Sequence, residues 1–125
     1  MYLLDTHALV WVVGSPERLP QAVRMVVESH QTKVSVISLW EMIIKKNRKT
    51  AAVRNPLAWW EQHVTRVETE VLPIRIPHLT ALDRLPDLHR DPFDRMLVAQ
   101  ALAEGLTLAT KDPTLARYDV PVVWE

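Results

Sequence analysis

The sequence predicts a three-layer α/β fold, with helices packed on both faces of a mostly parallel sheet. Three observations carry that expectation. Short apolar runs alternate with longer helical segments along the chain. The runs are largely uninterrupted, as in strands covered on both faces. The length of 125 residues suits one hydrophobic core, so residues 1–125 are expected to form a single domain.

In chain order, YLLD reads as the first strand, and Ala8–Val13 after it is apolar on every side. A helix is expected from about Gln21 to His30, then a strand in KVSVI. Helices follow over about Ser38–Lys49 and Pro56–Val67, and VLPI forms the next strand. A helix over Leu79–Leu85 precedes one over Pro92–Glu104, with Pro92 at its first position and Gly105 as its C-terminal cap. LTLAT and VPVVW supply the last strands. The pattern leaves strand order open.

Composition removes several classes of function. Lys plus Arg and Asp plus Glu both number 15, so the basic excess of a general nucleic-acid coat protein is missing. With no cysteine there are neither disulfides nor thiolate metal sites. Glycine occurs only at Gly14 and Gly105, which excludes glycine-rich phosphate loops. The N-terminal stretch carries Asp5 and His7 and lacks a basic region, a poor signal peptide. No run is long enough to span a membrane, and a cytoplasmic protein is expected.

Four acids fall at junctions between strands and helices: Asp5 ending the first strand, Glu41 in VSVISLWE, Asp94 in DPFD, and Asp112 in TKDP. Singly, each has an ordinary structural reading. Ser38–Glu41 has the form of a capping box, Asp91–Asp94 resembles one, and Asp5 and Asp112 suit N-caps. Together they suggest more, because ligands of open parallel sheets bind beyond the carboxyl ends of the strands. Asp94 shares a helical stripe with Leu97, Val98 and Ala101, which turns it toward the core. Glu41 shares its stripe with Ile44 and with Lys45.

Carboxylates converging on one sheet edge repel one another unless a cation neutralises them. Such a site suits Mg²⁺ or Mn²⁺ and metal-assisted phosphodiester hydrolysis. The five histidines (His7, His30, His63, His78, His89) show no zinc-site spacing and are expected to be structural or solvated. His7 and His89 flank the acidic motifs and suit an outer shell. Thr6, Ser38 and Thr110 lie within three residues of the acids, as candidates for holding waters or as plain turn residues. Six basic residues between Lys45 and Arg66 (Lys45, Lys46, Arg48, Lys49, Arg54, Arg66) are candidates for phosphate contact, as is Arg95. Trp59 and Trp60 are adjacent on a helix and cannot share one face, so they and Ala8–Val13 suit a partner surface.

LLDTHAL, SVISLWEM, RDPFDRMLVAQA and LATKD, in this order between Leu3 and Asp112, resemble the motifs of PIN domains and more narrowly of VapC-type toxin ribonucleases. The resemblance implies an α/β/α PIN-like domain with Asp5, Glu41, Asp94 and Asp112 as catalytic and metal-binding residues and Asp91 as an additional acid. It implies one or two Mg²⁺ or Mn²⁺ ions, endonucleolytic cleavage of RNA, a homodimer, and inhibition by a VapB-type antitoxin whose tail enters or covers the site. Other readings fit less well. A response-regulator receiver wants paired acids after the first strand, and a haloacid-dehalogenase-type phosphatase wants an acid where His7 stands. A non-catalytic binding module leaves clustered carboxylates without a use. Another PIN-type nuclease, acting on DNA or in RNA processing, shares the same metal chemistry.

Overall fold

A computed structural model describes residues 1–65 and 69–125. In chain order the elements are β1 (Tyr2–Leu4), α1 (Thr6–Gly14), α2 (Gln21–Glu28), β2 (Thr32–Ser35), α3 (Val36–Lys45), α4 (Pro56–His63), β3 (Glu70–Leu72), α5 (Ile76–Arg84), α6 (Pro92–Glu104), β4 (Thr107–Ala109) and β5 (Val122–Val123). Single 3₁₀ turns lie at Pro16–Arg18 and Leu115–Arg117. The strands form one sheet in the order β3-β2-β1-β4-β5, and every pairing is parallel.

The two-residue period of the strands divides the core into two layers. Leu3, Leu72 and Leu108 face one side, where Leu97, Val98 and Ala101 of α6 and Ile37 of α3 meet them. Leu4, Val34 and Ala109 face the other, against Ala8 and Leu9 of α1, with Trp59 and Trp60 of α4 packed alongside. Both tryptophans thus sit half-buried against the same cluster, and so do Val12 and Val13. Intrachain packing therefore accounts for much of the apolar surface that the sequence suggested for a partner.

The chain runs from β1 outward to β2 and β3, then returns across the sheet to add β4 on the opposite side of β1. That reversal opens a crevice at the carboxyl ends of β1 and β4, where open α/β sheets bind ligands. Among the described residues no helix is long and apolar enough to cross a membrane.

Helix ends depart from expectation where capping decides them. α3 starts at Val36 because the Ser35 hydroxyl oxygen accepts the Ile37 N–H at 3.0 Å, so Ser38 is not a cap and the Ser38–Glu41 capping box does not form. α3 ends at Lys45, short of Lys49, and the Val67 end expected for α4 lies outside the described residues. α5 starts three residues before the expected Leu79. α2 closes at Glu28 in a Schellman arrangement: His30 N–H donates to the Val27 carbonyl and Gln31 N–H to that of Val26, both at 3.1 Å. His30 takes φ 56° there, the conformation that Gly105 (φ 66°) supplies at the end of α6. An L side chain is strained in that region. His30→Gly is therefore expected to stabilise the fold by about 1 kcal/mol, measured by urea unfolding; a loss of stability would show the imidazole to be bound in place.

Candidate functional site

A cleft of about 400 Å³ opens at the carboxyl edge of β1 and β4, and Asp5, Glu41, Asp91, Asp94 and Asp112 all line it. Each reaches it by a different local device. Asp5 directly follows β1; its N–H donates to the Ala109 carbonyl (3.1 Å), and its Oδ1 accepts Ala8 N–H (2.8 Å), capping α1. Glu41 stands in the second turn of α3, not the first, because the helix begins at Val36. It follows the buried Ile37 by four residues and is itself 9% exposed, so it faces the cleft from within the core stripe.

Asp91 caps α6, its Oδ1 accepting N–H groups from Phe93 (2.8 Å) and Asp94 (3.2 Å). The reciprocal half of a capping box is supplied from behind: the Asp91 N–H donates to His89 Nδ1 at 2.9 Å. Asp94, released from that duty, carries a carboxylate with no hydrogen bond among the described residues except a loose approach to His89 Nε2 at 3.5 Å. Asp112 lies two residues past Thr110; its Oδ1 accepts Thr114 N–H (2.9 Å) and its Oδ2 meets His89 Nε2 (3.0 Å).

Hydrogen bonding assigns the His89 tautomer. Nδ1 accepts from the Asp91 backbone, so the proton of a neutral ring sits on Nε2 and donates to Asp112. The reach of His89, Asp94 and Asp112 is close, their candidate ligand atoms lying within 4.8 Å of one another. Both ring nitrogens of His89 are nevertheless engaged, which makes it an aligning partner of the carboxylates. The ligands offered to a cation are then carboxylate oxygens, a donor set that fits a hard divalent ion.

Electrostatics point the same way. Burial, and then the neighbouring charges of Asp91 and Glu41, push the Asp94 carboxyl up to about 7. Burial also raises Asp5, against the Ala8 and Thr110 hydrogen bonds that favour its charged form. For Asp91 burial is outweighed by the Lys45 ammonium and the α6 N–H groups, and its carboxyl lies below the usual value. Asp112 is lowered likewise, burial being outweighed by the Thr114 N–H and His89. Crowded negative charge is thus left partly uncompensated around Asp94 and Asp5.

Neighbouring polar groups sort into distinct roles. The Thr6 hydroxyl donates to Glu41 Oε1 at 2.7 Å and lies 3.0 Å from the Ser38 hydroxyl, so these two fix Glu41. Thr110 Oγ1 accepts Asp112 N–H at 3.1 Å. Lys45 does not extend toward solvent as a phosphate contact would; its ammonium lies 2.6 Å from Glu41 Oε2 and 3.0 Å from Asp91 Oδ2. Sequence reasoning missed this pairing with Asp91, because the partners stand 46 residues apart. Arg95 is diverted too, donating to the Pro86 carbonyl (2.9 Å) and to the Tyr118 hydroxyl (3.2 Å). Arg48 and Lys111 remain on the cleft rim as exposed cations, while Lys46, Lys49 and Arg54 are exposed elsewhere on the segment after α3; Arg66 lies outside the described residues. His7 lines the cleft and is exposed. His78 is structural: buried, it accepts Arg75 N–H on Nδ1 (3.0 Å) and meets Glu104 through Nε2 (2.8 Å).

The sequence matches the PIN domain family over residues 2–121. It is 31% identical over a 127-residue alignment to Ribonuclease VapC22 of Mycobacterium tuberculosis (strain ATCC 25618 / H37Rv), covering 98% of this chain and 97% of that protein. The fold is similar to that in the crystal structure of VapBC2 from Rickettsia felis bound to a DNA fragment from their promoter (TM-score 0.73, 17% identity, 99% of this chain and 98% of that one). It is also similar to that in DNA-bound VapBC from Salmonella typhimurium (TM-score 0.70, 20% identity, 98% and 96%). The all-parallel sheet, the family match over nearly the whole length and the identity to VapC22 agree, and the chain belongs to the PIN-domain family, in its VapC-type branch.

Proposed function

We propose that this chain is a divalent-metal-dependent endoribonuclease, the toxin of a type II toxin–antitoxin pair, in which Asp5, Glu41, Asp94 and Asp112 hold Mg²⁺ or Mn²⁺ and serve the hydrolysis. One observation supports this above the others: carboxylates from β1, α3, α6 and the turn after β4 meet in one cleft, in a chain 31% identical to a named ribonuclease. Bound there, a divalent cation supplies Lewis acidity toward a phosphodiester and its attacking water. The remaining work belongs to the side chains. Thr6 and Ser38 hold Glu41 in one rotamer, and His89 aligns Asp112 through its Nε2–H. Asp94, buried beside other acids and without a close hydrogen bond among the described residues, keeps its carboxylate oxygens available to the ion. Arg48 and Lys111 on the rim suit phosphate contacts on either side of the scissile bond. The partner is a VapB-type antitoxin, as in the VapBC complexes of similar fold. The active form proposed is a homodimer in the cytoplasm.

The test is mapping of 5′ ends in total cellular RNA incubated with the purified chain, with Mg²⁺ or Mn²⁺, with EDTA, and with the Asp94→Asn variant plus metal. New ends confined to the wild-type metal arm are the expected result. Ends that persist in EDTA would remove the metal from the mechanism. Their absence from all arms would turn the search to DNA.

A further inference from the structure

The acids of the cleft are not equivalent, and Lys45 divides them. Glu41 Oε1 takes the Thr6 hydroxyl at 2.7 Å and Oε2 the Lys45 ammonium at 2.6 Å. Asp91 spends Oδ1 on the two N–H groups at the start of α6 and presents Oδ2 to the same ammonium at 3.0 Å. These distances are those of charge-assisted hydrogen bonds. The ammonium is not a passing visitor: its stem rises one turn after Glu41 on α3, its side chain is only 28% exposed, and it lies 5.5 Å from the centre of the Phe93 ring. By contrast, the donors reaching Asp5 and Asp112 are backbone N–H groups, the Thr110 hydroxyl and the His89 Nε2–H, with no lysine or arginine among them, and Asp94 has no close donor among the described residues.

We propose that the Lys45 ammonium occupies the position of a second cation between Glu41 and Asp91, so that the cleft takes a single divalent ion on the side of Asp5, Asp94 and Asp112. Two-metal phosphodiesterases set their ions roughly 3.5–4 Å apart and bridge them with shared carboxylates. Here a second ion on Glu41 and Asp91 would have to displace an ammonium already held by both, or accept its charge within a few ångströms. A fixed ammonium stands in for that ion, holding Glu41 at the orientation Thr6 sets. Lys45 is thus a positioning residue with a metal-counting consequence. This inference rests on the metal-site reading proposed above and refines it in one respect: Glu41, its oxygens taken by Thr6 and Lys45, serves the site through the ammonium and not as a ligand of the single ion.

The experiment counts bound Mn²⁺, by equilibrium dialysis and by the loss of the free-ion paramagnetic resonance signal, at a pH above 7 where Asp94 is ionised. The wild-type chain is expected to bind one ion, Lys45→Arg one, and Lys45→Met two, the second filling the vacated place. Lys45→Gln replaces Lys45→Met if the latter does not fold, since its amide still reaches Glu41 without a charge. Two ions in the wild type, or one in the charge-removing variant, would overturn the proposal while leaving the metal site intact. No ion bound by the wild type would overturn it together with the reading beneath it. A purely structural Lys45 changes stability and leaves the count at one, which also decides against it.

Discussion

Asp94→Asn is expected to abolish cleavage and at the same time to stabilise the metal-free protein. The loss of activity follows from the placement of the carboxylate at the third position of α6, held by no close hydrogen bond among the described residues and facing three other acids across the cleft. Replacing it with a neutral amide removes a charged metal ligand, so the fall should exceed the ~10–100-fold typical of an outer-shell partner. The gain in stability follows from linkage. The Asp94 carboxyl lies at about 7 in the folded chain against an ordinary 3.8, so the folded state holds a proton that the unfolded state has released. For a carboxyl raised in this way, stability falls as pH rises from about 4 to about 7, and the penalty is complete above that. Asn cannot ionise and escapes it, a gain on the order of 4 kcal/mol above neutrality and almost none near pH 4. Urea unfolding in EDTA at both ends of that range measures the difference. Asp5→Asn should lose cleavage as well, because asparagine keeps the cap on α1 while removing the charge. Wild-type cleavage by either variant, or an Asp94→Asn chain less stable than wild type above neutrality, would remove the metal-site account.

Opposite effects of one substitution on function and stability are the mark of a residue kept for chemistry at the expense of the fold. The sequence carried part of this. That Asp94 turns inward was readable from Leu97, Val98 and Ala101 on its stripe, and all three are fully buried. Five short strands and the long helix closed by Gly105 were readable too, because uninterrupted apolar runs and a proline-to-glycine span are local signals. Where two local signals competed, the pattern failed. Ser35 and Ser38 both suit a cap, and Ser35 took it because the strand before it ends there in register with Leu72 of β3, a tertiary fact. Ser38 was left free to buttress Thr6, 32 residues away. The Lys45–Asp91 pair and the His89–Asp112 pair are likewise products of topology, and no spacing along the chain announces them. Strand order belongs with these: it is fixed by which crossover packs where, and it is what brings Asp5 and Asp112 to one crevice.

The same charge accounting predicts how the fold should respond to the ion itself. Mn²⁺ at a hundredfold excess over its dissociation constant should stabilise the wild-type chain by about 2.7 kcal/mol, close to 10 °C in melting temperature for a domain of this size. That shift should be confined to neutral and alkaline solution. Binding requires Asp94 to give up a proton held to about 7, so below that value apparent affinity falls roughly tenfold per pH unit. Asp5, also raised, acts in the same direction, whereas Asp91 and Asp112 are lowered and remain ionised throughout the range tested. Melting curves at about pH 8 and about pH 5, each in Mn²⁺ and in EDTA, therefore separate a site governed by these carboxylates from one that is not. A large shift at the higher pH, small at the lower, and absent in Asp94→Asn is the expected pattern. Equal shifts at both pH values would place the ion on groups that do not titrate there, away from Asp94. No shift at the higher pH would mean that the crowded acids are relieved by something other than a divalent cation.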